Sequence, residues 1–159
     1  MVFKRASGYN YGWSIARRPS AGETDVKIAV HVADGGGEFA IPDMRNTWVH
    51  IFVSFDRVAT GETDNPYKTV ASVYANGMLQ GTAAGSTRIW ENDYPLTFGN
   101  FDSTTDGYAF YGQYDELRLK RGASSANWAK AEYLTVADSS FVSASGAQPA
   151  VPGLLIFVR

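Results

Sequence analysis

The chain has no cysteine, few charged residues and no long apolar run. Without cysteine, its 159 residues form no disulfide, thiolate metal site or thiol nucleophile, although the cellular compartment stays open. Charged residues make up 19% and the formal net charge is -2, so the sequence carries no electrostatic footprint for nucleic acid. No apolar stretch reaches the ~18 residues of a membrane-spanning helix, so membrane insertion is not expected.

The chain is instead rich in aromatic side chains within a globular composition. Hydrophobic residues make up 45% and aromatic residues 14%, and the length suits one domain of ordinary size. Large aromatic side chains are typical of β-sheets. Exposed aromatic rings also suit stacking on sugars. The composition alone leaves both interpretations open.

Short alternating runs separated by turn signals predict an antiparallel β-sandwich. The pair Asn76-Gly77 gives the strongest hairpin signal, because both central residues of a type I′ turn need positive φ. The glycine-rich run at 34–37 predicts a turn. Strands are predicted over residues 12–17, 26–33, 38–41, 47–56, 69–75, 78–83, 95–100 and 110–119.

One helix is predicted late in the chain, over residues 123–135, with Ser124 or Ser125 as its N-cap. The stretch 139–153 is rich in serine, alanine and proline and is typical of a linker. The predicted domain therefore covers residues 1–145, and residues 146–159 form a linker or an extra strand. Three tryptophans are expected in the core, namely Trp13, Trp48 and Trp128.

Several short motifs follow one another in an order that resembles a known family. They are Trp48-Val49-His50, Phe55-Asp56, Val73-Tyr74-Ala75-Asn76-Gly77, Pro95-Leu96-Thr97-Phe98-Gly99-Asn100, Gly112-Gln113-Tyr114-Asp115-Glu116-Leu117-Arg118-Leu119, and Ser124-Ser125 with Trp128 and Ala131-Glu132-Tyr133. Together they resemble the concanavalin A-like, laminin-G-like jelly-roll domains of bacterial secreted proteins. The resemblance implies an all-β jelly-roll β-sandwich with one short C-terminal helix.

The same resemblance implies a function and a location. It implies a non-catalytic carbohydrate-binding or adhesion module of a larger secreted or cell-surface bacterial protein, whose partner is a glycan or a surface protein. One alternative is a structural or protein-interaction domain without its own ligand, and a third is a glycoside hydrolase. Fold resemblance does not choose among these functions, because one fold hosts many.

The chain departs from the family at its start. Members usually carry two or more strands before the segment that begins at Phe3, and one of them pairs near residues 111–119. The resemblance therefore implies an N-terminally incomplete domain with an open edge. Open edges favour strand exchange or homo-oligomerisation. The apolar run at 154–158 is one candidate for a strand that takes the place of the missing N-terminal strand at this edge.

The best predicted ligand-binding cluster lies in one loop and consists of Arg88, Trp90, Asn92, Asp93 and Tyr94. Aromatic rings stack on the C–H faces of sugars, while amide, carboxylate and guanidinium groups supply hydrogen bonds. The alternative is that Trp90 closes one end of the sandwich as a structural side chain.

The most prominent acid pair is not predicted to be catalytic. In a pleated strand, Asp115 and Glu116 point to opposite faces. Side chains on opposite faces cannot flank one glycosidic bond. In glycosidases the two catalytic carboxyl groups lie on either side of that bond, about 5 to 9.5 Å apart. No catalytic residue is predicted, and we expect no enzyme activity. His50 is expected to pack in the interior, since zinc needs three or four ligands.

The resemblance implies a different role for Asp115, as a ligand of a structural calcium ion together with backbone carbonyls of the opening strand. Calcium takes six to eight oxygen ligands, so one carboxylate plus carbonyls is chemically reasonable. The alternative is a carboxylate that bonds nearby backbone or pairs with Arg118 or Lys120.

Overall fold

The computed structural model describes residues 2–4, 12–18, 27–44, 46–87, 89, 92–99 and 112–141. These residues form eight β-strands and one α-helix. In chain order they are β1 (Val2–Lys4), β2 (Trp13–Arg18), β3 (Lys27–Val32), β4 (Gly35–Ala40), β5 (Ile51–Ala59), β6 (Tyr67–Ala75), β7 (Met78–Ala84), β8 (Thr97–Phe98) and α1 (Ala126–Ala137).

The strands form two antiparallel sheets that pack face to face. The first sheet has the order β4-β3-β2-β1-β8 and the second has the order β5-β6-β7. Side chains from both sheets join one hydrophobic cluster. The predicted all-β sandwich with one late helix is therefore confirmed.

The core forms because alternate residues of the central strands point to the facing sheet. In β3 these are Ile28, Val30 and Val32, whose exposed fractions are 1%, 0% and 0%. Strand β6 supplies Ala71, Val73 and Ala75 from the other side, each with 0% exposure. The ring centroids of Trp13 in β2 and Phe55 in β5 lie 5.5 Å apart across the two sheets. Trp13 is half-buried there, as expected for a side chain between sheets.

The glycine-rich run at 34–37 is mostly strand, so its prediction as a turn is wrong. The turn consists of Ala33 and Asp34, and β4 already begins at Gly35. A Cβ built on Gly35 would lie 2.2 Å from the carbonyl oxygen of Ala84 and 2.9 Å from Cα of Gly85. These glycines are needed because β4 closely approaches the end of β7, a contact between distant segments that local sequence does not show.

The Asn76-Gly77 hairpin is confirmed. It joins β6 to β7, with φ values of 49° at Asn76 and 73° at Gly77. The backbone N–H of His50 donates to Oδ1 of Asn76 at 3.0 Å, and the N–H of Asn76 donates to the His50 carbonyl at 2.9 Å. The turn is thus tied to the residue just before β5.

Helix α1 begins at Ala126 because Ser125 caps it. The Ser125 hydroxyl accepts a hydrogen bond from the backbone N–H of Trp128 at 3.2 Å, which satisfies one of the free donors of the first turn. The preceding residue anchors the helix to the second sheet, since the Ser124 N–H donates to Oγ of Ser54 at 2.8 Å. The predicted helix is confirmed, with its bounds shifted by two to three residues.

The strand predicted over 110–119 does not form among the described residues. Residues 113–120 pair with no described strand, and Glu116 has a φ of 51°, which interrupts an extended pleat. A strand needs a neighbour to take its backbone hydrogen bonds. The alternation of apolar and polar residues indicates which face of a strand each side chain prefers. It does not indicate whether a neighbouring strand is present.

Two tryptophans expected in the core are exposed. Strand β5 begins at Ile51 rather than at residue 47, which leaves Trp48 outside the sheet with 64% of its surface exposed. Trp128 in α1 is 46% exposed, because the helix buries Ala129 against the sandwich instead. The expectation that both lie in the core is wrong.

Candidate functional site

The loop that carries the predicted ligand-binding cluster is held against β1 by a lysine. The Nζ of Lys4 donates to the carbonyl oxygen of Tyr94 and, at 3.3 Å, to the carbonyl oxygen of Asn92. In return, Nδ2 of Asn92 donates to the Lys4 carbonyl at 3.5 Å, and Oδ1 of Asn92 accepts the N–H of Tyr94 at 3.3 Å. These bonds between distant residues fix the path of residues 92–94.

The structure describes three of the five predicted residues. Asp93 is exposed, and Asn92 and Tyr94 are half-buried beside it. The amide of Asn92 takes part in the loop bonds. Arg88 and Trp90 lie outside the described residues. Lys4 was not among the predicted residues. No local sequence pattern indicates its role, because its hydrogen-bond partners lie almost ninety positions away in the chain.

A second polar cluster lies where α1 meets residues 116–118. The guanidinium of Arg118 donates to Oε2 of Glu116 at 2.8 Å and to Oε2 of Glu132 at 2.6 Å. Asp115 is exposed next to this cluster and is not among the residues bonded to Arg118. The opposite-faces argument for Asp115 and Glu116 does not apply, because the segment is not a pleated strand. Instead, Glu116 is held in an ion pair with Arg118.

The calcium prediction at Asp115 stays a prediction. Calcium takes six to eight oxygen ligands. Among the residues with described positions, no group of three or more histidine, cysteine, aspartate or glutamate side chains is placed to hold a metal ion. Asp115 therefore belongs to no such cluster of side chains in the described part of the chain.

His50 lies at the junction of the hairpin, β5 and α1. Its ring centroid is 6.0 Å from that of Tyr133 in α1, and its Nδ1 is buried without a hydrogen-bond partner among the described residues. Burial lowers the pKa of the imidazole below its ordinary value of 6.5, while the charges of Glu132 and Arg118 act in opposite directions. The expectation that His50 has a packing role agrees with this position.

We expect the fold to lose stability on acidification through His50. Because the pKa of His50 is lower in the folded than in the unfolded chain, the unfolded chain takes up the proton first. The contribution is fully present above the unfolded pKa of about 6.5 and is lost as the pH falls from there through the lower pKa of the folded chain. Urea midpoints at pH 7.5 and pH 5.5 should therefore differ more for the wild type than for His50→Gln. Equal differences in the two proteins would contradict the prediction.

Exposed aromatic side chains paired with cations occur at two further places. Lys120 lies over the ring of Trp128 with 4.2 Å from Nζ to the ring centroid, and Arg57 lies 4.1 Å over Tyr67. Each ring keeps a large exposed fraction, 46% for Trp128 and 38% for Tyr67. Sequence reasoning missed both, because the cation and the ring are paired by tertiary contacts. A cation over one face holds an aromatic ring in a fixed orientation.

Helices in the described residues do not reach the length and apolarity needed to cross a bilayer.

Comparison with known families gives one match. Residues 1–146 match a laminin-G-like family model, described as the concanavalin A-like lectin/glucanases superfamily. The match covers most of the chain and agrees with the two antiparallel sheets and the short helix. The resemblance drawn from the sequence motifs is thereby confirmed. No curated protein and no solved structure matches the chain.

Proposed function

Because this chain belongs to the concanavalin A-like lectin/glucanases superfamily, we propose that it is a non-catalytic carbohydrate-binding module. We further propose that it acts within a larger secreted or cell-surface bacterial protein. The superfamily contains lectins as well as glucanases, so membership alone does not choose between binding and hydrolysis. The choice rests on the geometry of the candidate residues.

The observation that carries the proposal is the fixed loop at residues 92–94. Four hydrogen bonds with Lys4 or within the loop hold its backbone in place. Binding then costs less ordering entropy than binding to a free loop would. Asp93 is exposed in this loop, and its neighbour in the sequence, Tyr94, is half-buried. A carboxylate beside an aromatic ring suits a sugar, whose hydroxyls donate hydrogen bonds and whose C–H face stacks.

In this site Asp93 and Tyr94 are proposed to contact the glycan and Asn92 to hold the loop. Arg88 and Trp90 belong to the proposed site on sequence grounds. Two of the described acids, both close to α1, support the non-catalytic part of the proposal. Glu116 and Glu132 share one guanidinium, so both are held in an ion pair instead of facing a groove as an acid and its nucleophile.

A glycan array followed by calorimetry on the best ligand tests the proposal. We expect Asp93→Ala to weaken binding about tenfold, the loss of one or two hydrogen bonds to a charged group. The matched control is Asp64→Ala, which removes another exposed aspartate from a different loop and should leave the affinity unchanged.

Three outcomes would contradict parts of the proposal. An array without any signal at high protein concentration would reject glycan binding and favour a structural or protein-interaction domain. Loss of binding in Trp128→Ala but not in Asp93→Ala would place the site at α1 instead of the loop. Turnover of a β-glucan that disappears when one acid is replaced would reject the non-catalytic assignment.

A further inference from the structure

Helix α1 lies along the outward face of strand β5 and is held there at both ends. Near its start, the N–H of Ser124 donates to Oγ of Ser54, which points outward because its two neighbours in β5 pack in the core. Near its end, the ring centroids of Tyr133 and His50 lie 6.0 Å apart, and His50 directly precedes β5. A helical path from residue 124 to 133 and an extended path from residue 54 to 50 both span about 13 Å. The two contacts therefore hold α1 antiparallel to β5.

Few side chains of α1 are buried in this contact. Ala129 is the one buried residue of the helix. Its large apolar side chains Trp128 and Val136 keep exposed fractions of 46% and 53%. Because the stabilisation from burial grows with apolar area, one alanine contributes little. The position of the helix therefore depends on the contacts at its two ends, one of which is the contact with His50.

The charged side chains that act on His50 come from α1 and from residues 116–118. Burial is the largest influence and lowers the pKa of the imidazole, whereas Glu132 and Glu116 raise it and Arg118 lowers it. Both carboxylates are already bonded to Arg118, at 2.6 and 2.8 Å. The attraction that they offer to an imidazolium is therefore shared with a guanidinium, whose own charge repels it.

The other contacts of His50 suit a neutral imidazole. Tyr133 presents its ring, and Oδ1 of Asn76 in the hairpin accepts the backbone N–H of His50 rather than a ring proton. The remaining cation on this side of α1 is Lys130, whose Cα borders the hairpin. A neutral imidazole has one N–H donor, but a protonated one has two. Since Nδ1 is buried with no hydrogen-bond partner among the described residues, a proton there would be an unpaired donor on a charged ring in the interior.

We propose that His50 is a pH-sensitive switch, and that protonation of its imidazole releases α1 from the hairpin and from β5 while the sandwich stays folded. Movement of the helix opens the side of the imidazole that faces Tyr133 and allows water to accept the second proton. The sandwich keeps its structure because its core, with Val30 and Val73 at 0% exposure, lies on the other face of the second sheet. In the alternative, Glu132 turns from Arg118 to the imidazolium and α1 stays in place.

Hydrogen exchange of the full chain at pH 7.5 and pH 5.5 tests the switch, with each rate divided by the intrinsic rate at that pH. In the wild type, protection of the amides at 130–137 should fall by up to about tenfold at pH 5.5. This limit is set by an imidazole whose pKa is about 6.5 when the helix is released. Amides of β3 and β6 should keep their protection. In His50→Gln, which cannot take up the proton, protection of α1 should be equal at both pH values.

The matched control is His31→Gln, which replaces the other histidine of the chain, in β3, and should respond to pH like the wild type. Unchanged protection of α1 in the wild type would overturn the proposal and would favour the turn of Glu132 to the imidazolium. An equal loss in α1, β3 and β6 would overturn it as well, because the whole domain would then be opening. So would the same loss of α1 protection in His50→Gln as in the wild type. The comparison of α1 with β3 within the wild type needs no variant, so it decides the question even if His50→Gln does not fold.

Discussion

Replacing Gly35 by alanine is expected to destabilise the fold by about 3 kcal/mol, the upper range for forcing an atom into a packed interior. The new Cβ would lie 2.2 Å from the carbonyl oxygen of Ala84, a distance that backbone atoms do not tolerate. The obstacle is backbone, so a change of rotamer cannot relieve it. Strand β4 would have to move away from the end of β7, and the two sheets would part at that edge.

The same junction contains further contacts that such a movement would break. Asp34 accepts hydrogen bonds from the backbone N–H of Ser86 at 2.8 Å and from its hydroxyl, and these lower the pKa of the Asp34 carboxyl. A Cβ on Gly85 would in turn lie 2.5 Å from the Val32 carbonyl oxygen. Both sides of the junction therefore lack room for a side chain.

Urea unfolding monitored by tryptophan fluorescence measures the effect of Gly35→Ala. The control is Gly99→Ala, where a built Cβ meets no atom of the described residues within 4 Å and the φ of +82° opposes alanine. That control should cost about 1 kcal/mol, the usual penalty of a left-handed residue with a side chain. If both variants lost the same stability, the close approach of β4 to β7 would not limit the fold.

The second large effect is expected for Gly77→Ala, at about 2 kcal/mol. Part of it comes from the φ of +73°, which alanine adopts only with strain. The rest comes from α1, because the new Cβ would lie 3.1 Å from Cδ1 of Tyr133 and 3.2 Å from Cα of Lys130. Gly77 thus shapes the turn and also leaves room for the helix that packs on it.

Gly61→Ala separates the two contributions. Gly61 has a similar φ of +81°, but no atom from the described part of the chain lies within 4 Å of a built Cβ, so its variant should show the strain alone. We expect Gly77→Ala to lose more stability than Gly61→Ala in the same denaturant titration. We also expect faster amide exchange in α1 for Gly77→Ala only. Equal losses, with α1 unaffected, would show that the helix does not depend on the turn.

Structural features that depend on residues close together in the sequence were predictable, whereas features that depend on residues far apart in the sequence were not. The Asn76-Gly77 hairpin and the Ser125 cap were predictable because each signal and its structure lie within a few residues. The tie between Lys4 and the loop at 92–94 was not, since no local pattern marks a lysine that bonds carbonyls far along the chain. The exposure of Trp48 was not predicted either, because it depends on the residue at which β5 begins to pair with β6.

The sequence by itself determined the class of the fold and its family. Apolar–polar alternation, turn residues and the order of motifs can all be identified from the sequence without knowledge of tertiary contacts. The tertiary structure alone decided that Gly35 begins a strand and that residues 113–120 form no strand with the described part of the chain. It also decided which acids share Arg118. Each of these depends on which backbone comes to lie beside which, and a strand's alternation is the same whether or not a neighbour takes its hydrogen bonds.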